Sequence, residues 1–365
     1  MTRVALIHAG KIPHYRVPIY GYLSSYLRRY GFDLTVVSDG IEVGNPHIVD
    51  FQCTEMPLSA FSIARFIYRR QVEVIIDYME LRHSYLFPTY LIAKGIMRRK
   101  IVYWGQGCDL AATDAVLKNL AYRSELAMCD AIILYADHLK KYVPRRFHKK
   151  LFVANNTLHL GYRGLPTDVQ KEDILQKYGI KTRKNIICVG RIQKRKRLER
   201  LFEAFVHMNR PDVGLILVGP DPDRILEKFT GDNIYKLGSL YGDAKFDILS
   251  SADVYCLPGA VGLSIVDAFH CGLPFVTEDG DESAEMMYLK NGVNGFITPR
   301  GNIAELAHTL RLLIDDNALR RRLSDAARRE VADNGNIDKL AAGFRDALDY
   351  VIGRVGGVPV PGIHP

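Results

Sequence analysis

The chain has 365 residues, 48% hydrophobic and 25% charged, with 49 Lys+Arg against 41 Asp+Glu and six cysteines. At roughly 150 residues per domain this length predicts about two domains. The composition excludes a disordered chain, a collagen-like repeat and a small disulfide scaffold. No apolar run approaches the roughly 20 residues that span a bilayer. The first run, Val4-Ala5-Leu6-Ile7, is cut by His8 and is too short for a signal-peptide core. It reads as a buried strand, and the widely spaced cysteines, with no CxxC pair, read as reduced thiols. The net charge of +8 lies wholly in the first half. Residues 1–155 hold 21 basic and 13 acidic side chains, and residues 156–365 hold 28 of each. The excess clusters at Arg69-Arg70, Arg98-Arg99-Lys100, Lys140-Lys141, Arg145-Arg146 and Lys149-Lys150. Such clusters suit an anionic partner surface or solvated helix ends.

Short apolar runs between helical patterns predict strands buried on both faces, hence parallel sheets. In the first half, strands are predicted at Val4–Ala9, Phe32–Ser38, Val72–Asp77, Ile101–Trp104 and Ala131–Ala136, the last closing the series. Helices are predicted over Val17–Tyr30, Ala60–Arg70 and Thr113–Met128. The polar stretch Asn156–Lys184 reads as a linker. The pattern then repeats. Strands are expected at Asn185–Val189, Val213–Val218, Ile234–Leu237, Val254–Leu257, Phe275–Thr277 and Gly295–Ile297. Helices are expected over Leu198–Met208, Ile303–Asp315, Ala318–Asp333 and Ile337–Gly353, and the last ten residues read as frayed. The expected architecture is α/β, two doubly wound Rossmann-like domains facing across a cleft, with ligands at the carboxyl ends of the strands. The expected boundaries are 1–156, a linker and start of the second domain at 157–184, 185–335, and a C-terminal helix and tail at 336–365 crossing back to the first domain.

Two motifs carry chemistry. In Val189-Gly190-Arg191-Ile192-Gln193-Lys194-Arg195-Lys196, a strand ends at a glycine and Arg191 and Lys196 follow at the mouth of the sheet. Two cations there suit a diphosphate, whose charge spreads over several oxygens; the plainer reading is a basic turn in solvent. In Leu257-Pro258-Gly259-Ala260-Val261-Gly262-Leu263-Ser264-Ile265-Val266-Asp267, a small-residue loop runs into a helix. The free N–H groups of Ala260, Val261, Gly262 and Leu263 suit a phosphate, and Asp267 one turn on suits two neighbouring sugar hydroxyls.

Together these motifs resemble the donor domain of retaining glycosyltransferases of family 4 (glycosyl transferases group 1), which have the GT-B fold. Gly190, Arg191 and Lys196 match the family's diphosphate-binding strand end. Pro258, Gly262-Leu263, Asp267 and Gly272-Leu273-Pro274 match its second motif, and Asn291 to Phe296 resembles its Gly-x-Asn-Gly turn. The resemblance covers about residues 155–330. It implies a hexosyltransferase that moves a sugar, with retention, from a nucleotide-diphosphate donor to a hydroxyl of a glycan or lipid-diphosphate-linked acceptor in bacterial surface polysaccharide or glycoconjugate synthesis. It implies Arg191, Lys196 and Gln106 as catalytic residues. Gly190, Leu240, Tyr241, Asp267 and Glu285 join the two motifs in donor binding. A UDP-sugar is favoured over a GDP-sugar, with no obligatory cofactor or metal.

The chain departs from the pattern twice. The first of the family's two glutamates falls on Gly259, and the second is Asp267. The family's histidine after the fourth strand has Gln106 as its best equivalent, and a glutamine cannot act as a base near neutral pH; Asp109 is its nearest ionisable neighbour. The N-terminal loop Gly10, Lys11, His14, Tyr15 and Arg16 is expected to meet the acceptor together with Asp109. A nucleic-acid partner is not expected, because the basic clusters lack interleaved aromatics. The expected location is cytoplasmic, peripheral on the inner face of an anionic membrane. A non-catalytic sugar-nucleotide binding subunit and a GT-B-fold epimerase remain the alternatives.

Overall fold

The computed structural model describes residues 1–77, 86–110, 116–161, 164 and 166–354. The predicted start of the helix at Thr113 and the tail beyond Arg354 lie outside these residues. The chain divides into two compact units. One comprises Met1–His159 with the chain from Asn336 onward, and the other is Leu160–Gly335.

The first unit runs β1 (Thr2–His8), α1 (Val17–Arg29), β2 (Phe32–Ser38), β3 (Gln52–Glu55), α2 (Ala60–Arg69), β4 (Val74–Asp77), α3 (Leu86–Leu91), β5 (Lys100–Gly105), α4 (Val116–Met128), β6 (Ala131–Leu134) and β7 (Leu151–Val153). Its seven strands form one sheet in the order β3-β2-β1-β4-β5-β6-β7, every pair parallel. The central strands are apolar on both faces, as the continuous runs require; Val4, Ala5, Leu6 and Ile7 are all buried. The sheet does not close at Ala131–Ala136: β7 adds a further edge strand after the basic turn Arg145–Lys150.

The second unit runs α5 (Asp168–Lys177), β8 (Lys184–Val189), α6 (Leu198–Met208), β9 (Val213–Val218), β10 (Ile234–Lys236), α7 (Gly242–Ser250), β11 (Val254–Cys256), α8 (Ser264–His270), β12 (Phe275–Glu278), β13 (Gly295–Thr298), α9 (Ile303–Asp315) and α10 (Asn317–Asn334). Its six parallel strands are ordered β10-β9-β8-β11-β12-β13. Helix α5 lies inside the stretch expected to be linker. It is started by a capping box in which Thr167 and Gln170 bond each other's backbone N–H.

In both sheets the strand order reverses beside the first strand of the unit, between β1 and β4 and between β8 and β11. The loops that leave these strands at their carboxyl ends are where open α/β sheets bind ligands. Gly10–Arg16 follows β1, Gly190–Lys196 follows β8, and Leu257–Leu263 follows β11.

The last helix, α11 (Ile337–Ile352), belongs to the first unit and packs on β6 and β7. It is capped by Asn336 and ended by Gly353 at φ +74°. Phe344 meets Trp104 edge to face at 4.9 Å. Gly343 lets the helix touch the sheet, since a Cβ there would sit 2.2 Å from the Val153 carbonyl oxygen and 2.9 Å from the Ala154 Cβ. Gly343→Ala gains about 1 kcal/mol of helix propensity but forces α11 off β7, an overpacking cost of about 1–3 kcal/mol. A lower melting temperature is expected; an unchanged or raised one would show that α11 does not rest on β7 at this position.

Candidate functional site

In the second unit, two loops at the reversal of strand order are laced together. β8 ends at Val189, and Gly190 (φ +135°) turns the chain while donating its N–H to the Val218 carbonyl at 2.8 Å. Only glycine fits opposite: a Cβ on Gly219 would lie 2.0 Å from the Gly190 oxygen. Arg191 is exposed and Ile192 buried. A 3-10 turn, Lys194–Lys196, follows, and Arg197 enters α6 in the left-handed conformation, φ 52° and ψ 41°.

This turn packs on the loop after β11. The Gly259 N–H donates to the Lys196 carbonyl (3.0 Å) and the Ala260 N–H to the Arg195 carbonyl (3.1 Å). The Lys196 ammonium donates to the Ala260 carbonyl at 2.6 Å. Arg197 donates to the Pro258 carbonyl at 3.1 Å and pairs with Asp281. Where the resemblance places a glutamate there is no room for a side chain. A Cβ on Gly259 would stand 2.3 Å from the Arg195 oxygen and 2.4 Å from the Lys196 carbonyl carbon.

Lys196 is the charged centre of this arrangement. Burial, and then the charge of Arg195, push its ammonium down to about 8, while Cys188 and Glu285 act to hold it up. Glu285, in the 3-10 turn Ala284–Tyr288, is itself buried. A Cβ on Gly262 would come 3.9 Å from the Lys196 Nζ. Lys196, Ala260, Gly262 and Glu285 are thus brought together, with Val261 buried and Leu263 half-buried at the entrance to α8.

Asp267 lies in the first turn of α8, buried, and accepts a hydrogen bond from Lys245 at 2.8 Å. Lys245 is on α7 and was not legible as a site residue; its partner stands 22 residues away on another helix. Tyr241 precedes α7 and is exposed, and Leu240 beside it is half-buried. Asp221, first of Asp221-Pro222-Asp223 after β9, caps the turn that follows, accepting from the N–H groups of Ile225 and Leu226 at 2.9 and 2.8 Å.

In the first unit, the loop after β1 meets the ends of β5 and β6. Gly10 turns at φ +86°, Lys11 is exposed, and Ile12 is buried, bridging Ile41. His14 contacts Glu42 through its Nδ1 at 3.4 Å and its backbone N–H at 3.2 Å, and its ring stacks near His47. Tyr15 stands partly exposed against His14. Arg16 is 6% exposed and lies over the Trp104 ring at 4.8 Å, with its Nη2 donating to the Tyr135 hydroxyl at 3.4 Å. It is a cation stacked among aromatics rather than a side chain extended into solvent. Gln106 and Asp109 are half-buried on the loop after β5, whose turn is fixed by the Gly107 N–H donating to the Tyr103 hydroxyl at 2.8 Å.

A desolvated ammonium beside a turn of exposed cations has the chemistry to take a polyanion. Because Lys196 loses its proton near pH 8 when the site is empty, an anion that restores the charge must carry a proton in with it. Pyrophosphate is therefore expected to bind with proton uptake at pH 8.5–9 and with almost none below pH 7, and its affinity falls as the pH rises through 8. Calorimetry in two buffers of different ionisation enthalpy reads this directly. Uptake that persists in Lys196→Met would assign the proton elsewhere.

Comparison with known proteins bears on this geometry. Residues 170–330 match the family model described as glycosyl transferases group 1. An alpha-D-kanosaminyltransferase of Streptomyces kanamyceticus is 23% identical over 233 residues, 59% of this chain and 58% of that protein. An uncharacterized glycosyltransferase of Methanocaldococcus jannaschii is 22% identical over 276 residues, 70% of this chain and 69% of its own length. The chain thus spans somewhat more than half of the first of these relatives. Among solved structures, Anabaena Alr3699/HepE in complex with UDP-glucose superposes with a TM-score of 0.77 at 16% identity, covering 96% of this chain and 100% of its own. The chain has the GT-B fold of two Rossmann-like domains, and its residues 170–330 are similar to group 1 glycosyl transferases.

Proposed function

We propose that the protein transfers a hexosyl group, with retention of configuration, from a nucleotide-diphosphate sugar to a hydroxyl of a glycan or lipid-diphosphate-linked acceptor in bacterial surface polysaccharide or glycoconjugate synthesis. The observation that carries this reading is Lys196, held half-desolvated between two interlocked loops at the strand ends of the second unit, with Glu285 beside it. In this reading Arg191 and Lys196 take the diphosphate and stabilise the charge that grows on it as the glycosidic bond breaks. Backbone N–H groups of Val261–Leu263 add to this, that of Ala260 being spent on the Arg195 carbonyl, and Asp267 holds the ribose. Leu240 and Tyr241 flank the base. Glu285 supplies the sugar-side carboxylate that position 259 cannot carry. Gly10, Lys11, His14, Tyr15, Arg16 and Asp109 belong to the acceptor side, with Gln106 near the reacting sugar. UDP is the favoured nucleotide and GDP the runner-up; thermal shift with UDP, GDP, ADP and dTDP separates them. A ligand at a hundred times its dissociation constant adds about 2.7 kcal/mol.

In this reading two cations, Lys196 held in place and Arg191 exposed beside it, serve the leaving diphosphate without a divalent metal. Arg191→Ala and Lys196→Ala are each expected to lower turnover of a labelled nucleotide sugar by two orders of magnitude or more, as removal of one charge-stabilising donor costs about 2.7–4 kcal/mol in comparable sites. EDTA leaves the rate in place. Near wild-type rates in both variants would remove the donor site from this loop, and loss to EDTA rescued by magnesium would overturn the metal-free mechanism. Nucleotide binding without any product would favour the binding-subunit alternative.

The acceptor reading extends to an anionic membrane. Among the described residues no helix is long and apolar enough to cross a bilayer. Residues 60–72 and 86–100 together hold seven Lys or Arg and no acidic residue. On α2, Phe66 and Ile67 pack inward, whereas Phe61 and Tyr68 are 75% and 64% exposed beside exposed Arg65, Arg69 and Arg70. Each basic group near an anionic surface contributes about 1 kcal/mol. Cosedimentation with vesicles containing anionic lipid is expected at low salt and is lost at high salt. No binding at low salt, with full activity on a soluble acceptor, would give the charge to solubility alone.

A further inference from the structure

Asp267 does not stand alone. Lys245 donates to its Oδ1 at 2.8 Å, and Oδ2 takes no protein hydrogen bond among the described residues. Both side chains are mostly buried, with 21% of Lys245 and 10% of Asp267 exposed, so the pair is held rather than fluctuating in solvent. The ammonium also lies 4.8 Å over the Phe246 ring. Lys245 follows Tyr241, the residue before α7, by four positions, one helical turn. The lysine thus bonds the residue assigned to the ribose and sits four positions after the residue assigned to the base.

The chemistry of the pair differs from that of a lone carboxylate. A carboxylate only accepts, so it can take protons from two hydroxyls and give none. An ammonium has three N–H donors, and one is spent on Oδ1. Side by side, Asp267 and Lys245 offer an accepting oxygen and donating N–H groups. A vicinal diol needs both, because each hydroxyl donates once and accepts as well. The aspartate is one methylene shorter than a glutamate, and the long lysine stem carries the polar edge outward.

We propose that Lys245 is a specificity-determining residue: with Asp267 it reads the 2′,3′-diol of the nucleotide ribose and selects ribonucleoside over 2′-deoxyribonucleoside diphosphates. This rests on the donor-site reading above. The plainer role, a staple between α7 and α8, would leave the sugar preference untouched.

The test is titration calorimetry of the full chain with UDP, 2′-deoxy-UDP, GDP and 2′-deoxy-GDP. For the base that binds, wild type is expected to lose about tenfold in affinity when the 2′-hydroxyl is removed, the factor one hydrogen bond to a charged group is worth. In Lys245→Met, of similar length, the ribonucleotide weakens and the ribo-to-deoxy ratio falls severalfold, the remainder being what Asp267 accepts from the 2′-hydroxyl alone. Lys245→Arg keeps most of the ratio. A ratio unchanged in Lys245→Met, with its melting temperature lowered, makes the lysine a staple and overturns the proposal while leaving the donor site intact. A wild-type ratio near one overturns it as well. If wild type binds neither UDP nor GDP, the donor-site reading falls first and this one with it.

Discussion

The constraint on which the second unit's chemistry depends is the contact of two backbones, Arg195-Lys196 against Gly259-Ala260. Two main-chain hydrogen bonds and the Lys196 ammonium tie them together. The approach is close enough to forbid any Cβ at position 259. Arg197, just beyond, is held in a left-handed conformation that costs a non-glycine residue about 1–2 kcal/mol. It is retained because its guanidinium bonds the Pro258 carbonyl and Asp281 across the same seam. Lys196 is thus placed by neighbours on both sides before any ligand arrives. Fixed charge of this kind does not have to reorganise when negative charge grows on a leaving group.

Behind the seam stands a second, more deeply buried arrangement. Glu278 ends β12 with no side-chain exposure, and Arg200 of α6 pairs with it while Arg197 lies 3.9 Å away. Its other oxygen accepts from the Gly301 N–H at 3.1 Å. A buried carboxylate is tolerated only when its charge and lone pairs are met. Here they are met from α6 and from the loop after β13, so the network ties the helix that follows Lys196 to the sheet. Removing one charge from such a set leaves the other uncompensated.

The strand pattern was legible because parallel strands are apolar on both faces, and Phe32–Ser38 and Val213–Val218 have the predicted bounds. The missed elements, β3, α3, β7 and α5, are short or polar. β7 is three residues long behind a basic turn, too short for a periodic signal. α5 is polar on most of its surface, and its only clear mark was the cap, Thr167 with Gln170 three residues on. The two switch-point loops could be located in the sequence because glycines and cations at a strand end have few other uses. Sequence showed the glutamate missing at 259 without its cause, since the cause is a backbone 63 residues away. The pairing of Lys245 with Asp267 and the stacking of Arg16 on Trp104 are tertiary contacts with no local periodicity, so they lay beyond a reading of spacing alone.

The distribution of carboxylates leaves the seam positive although acids surround it. Asp267 is matched by Lys245, Asp281 by Arg197, and Glu278 by Arg200. Each pair is compact, so at a distance its field is that of a dipole and falls off faster than that of a single charge. Glu285 is the carboxylate whose charge reaches Lys196, and its influence is smaller than that of burial or of Arg195. Arg191, Lys194 and Arg195 add positive charge on the exposed side of the same turn. The local potential is therefore set by the cations of one short segment, Arg191 to Lys196, even though the half of the chain that contains it carries no net charge. Charge balance over a domain and charge at its binding loop are independent quantities. In the second half of this chain the first is zero, and the second is positive where the strands end.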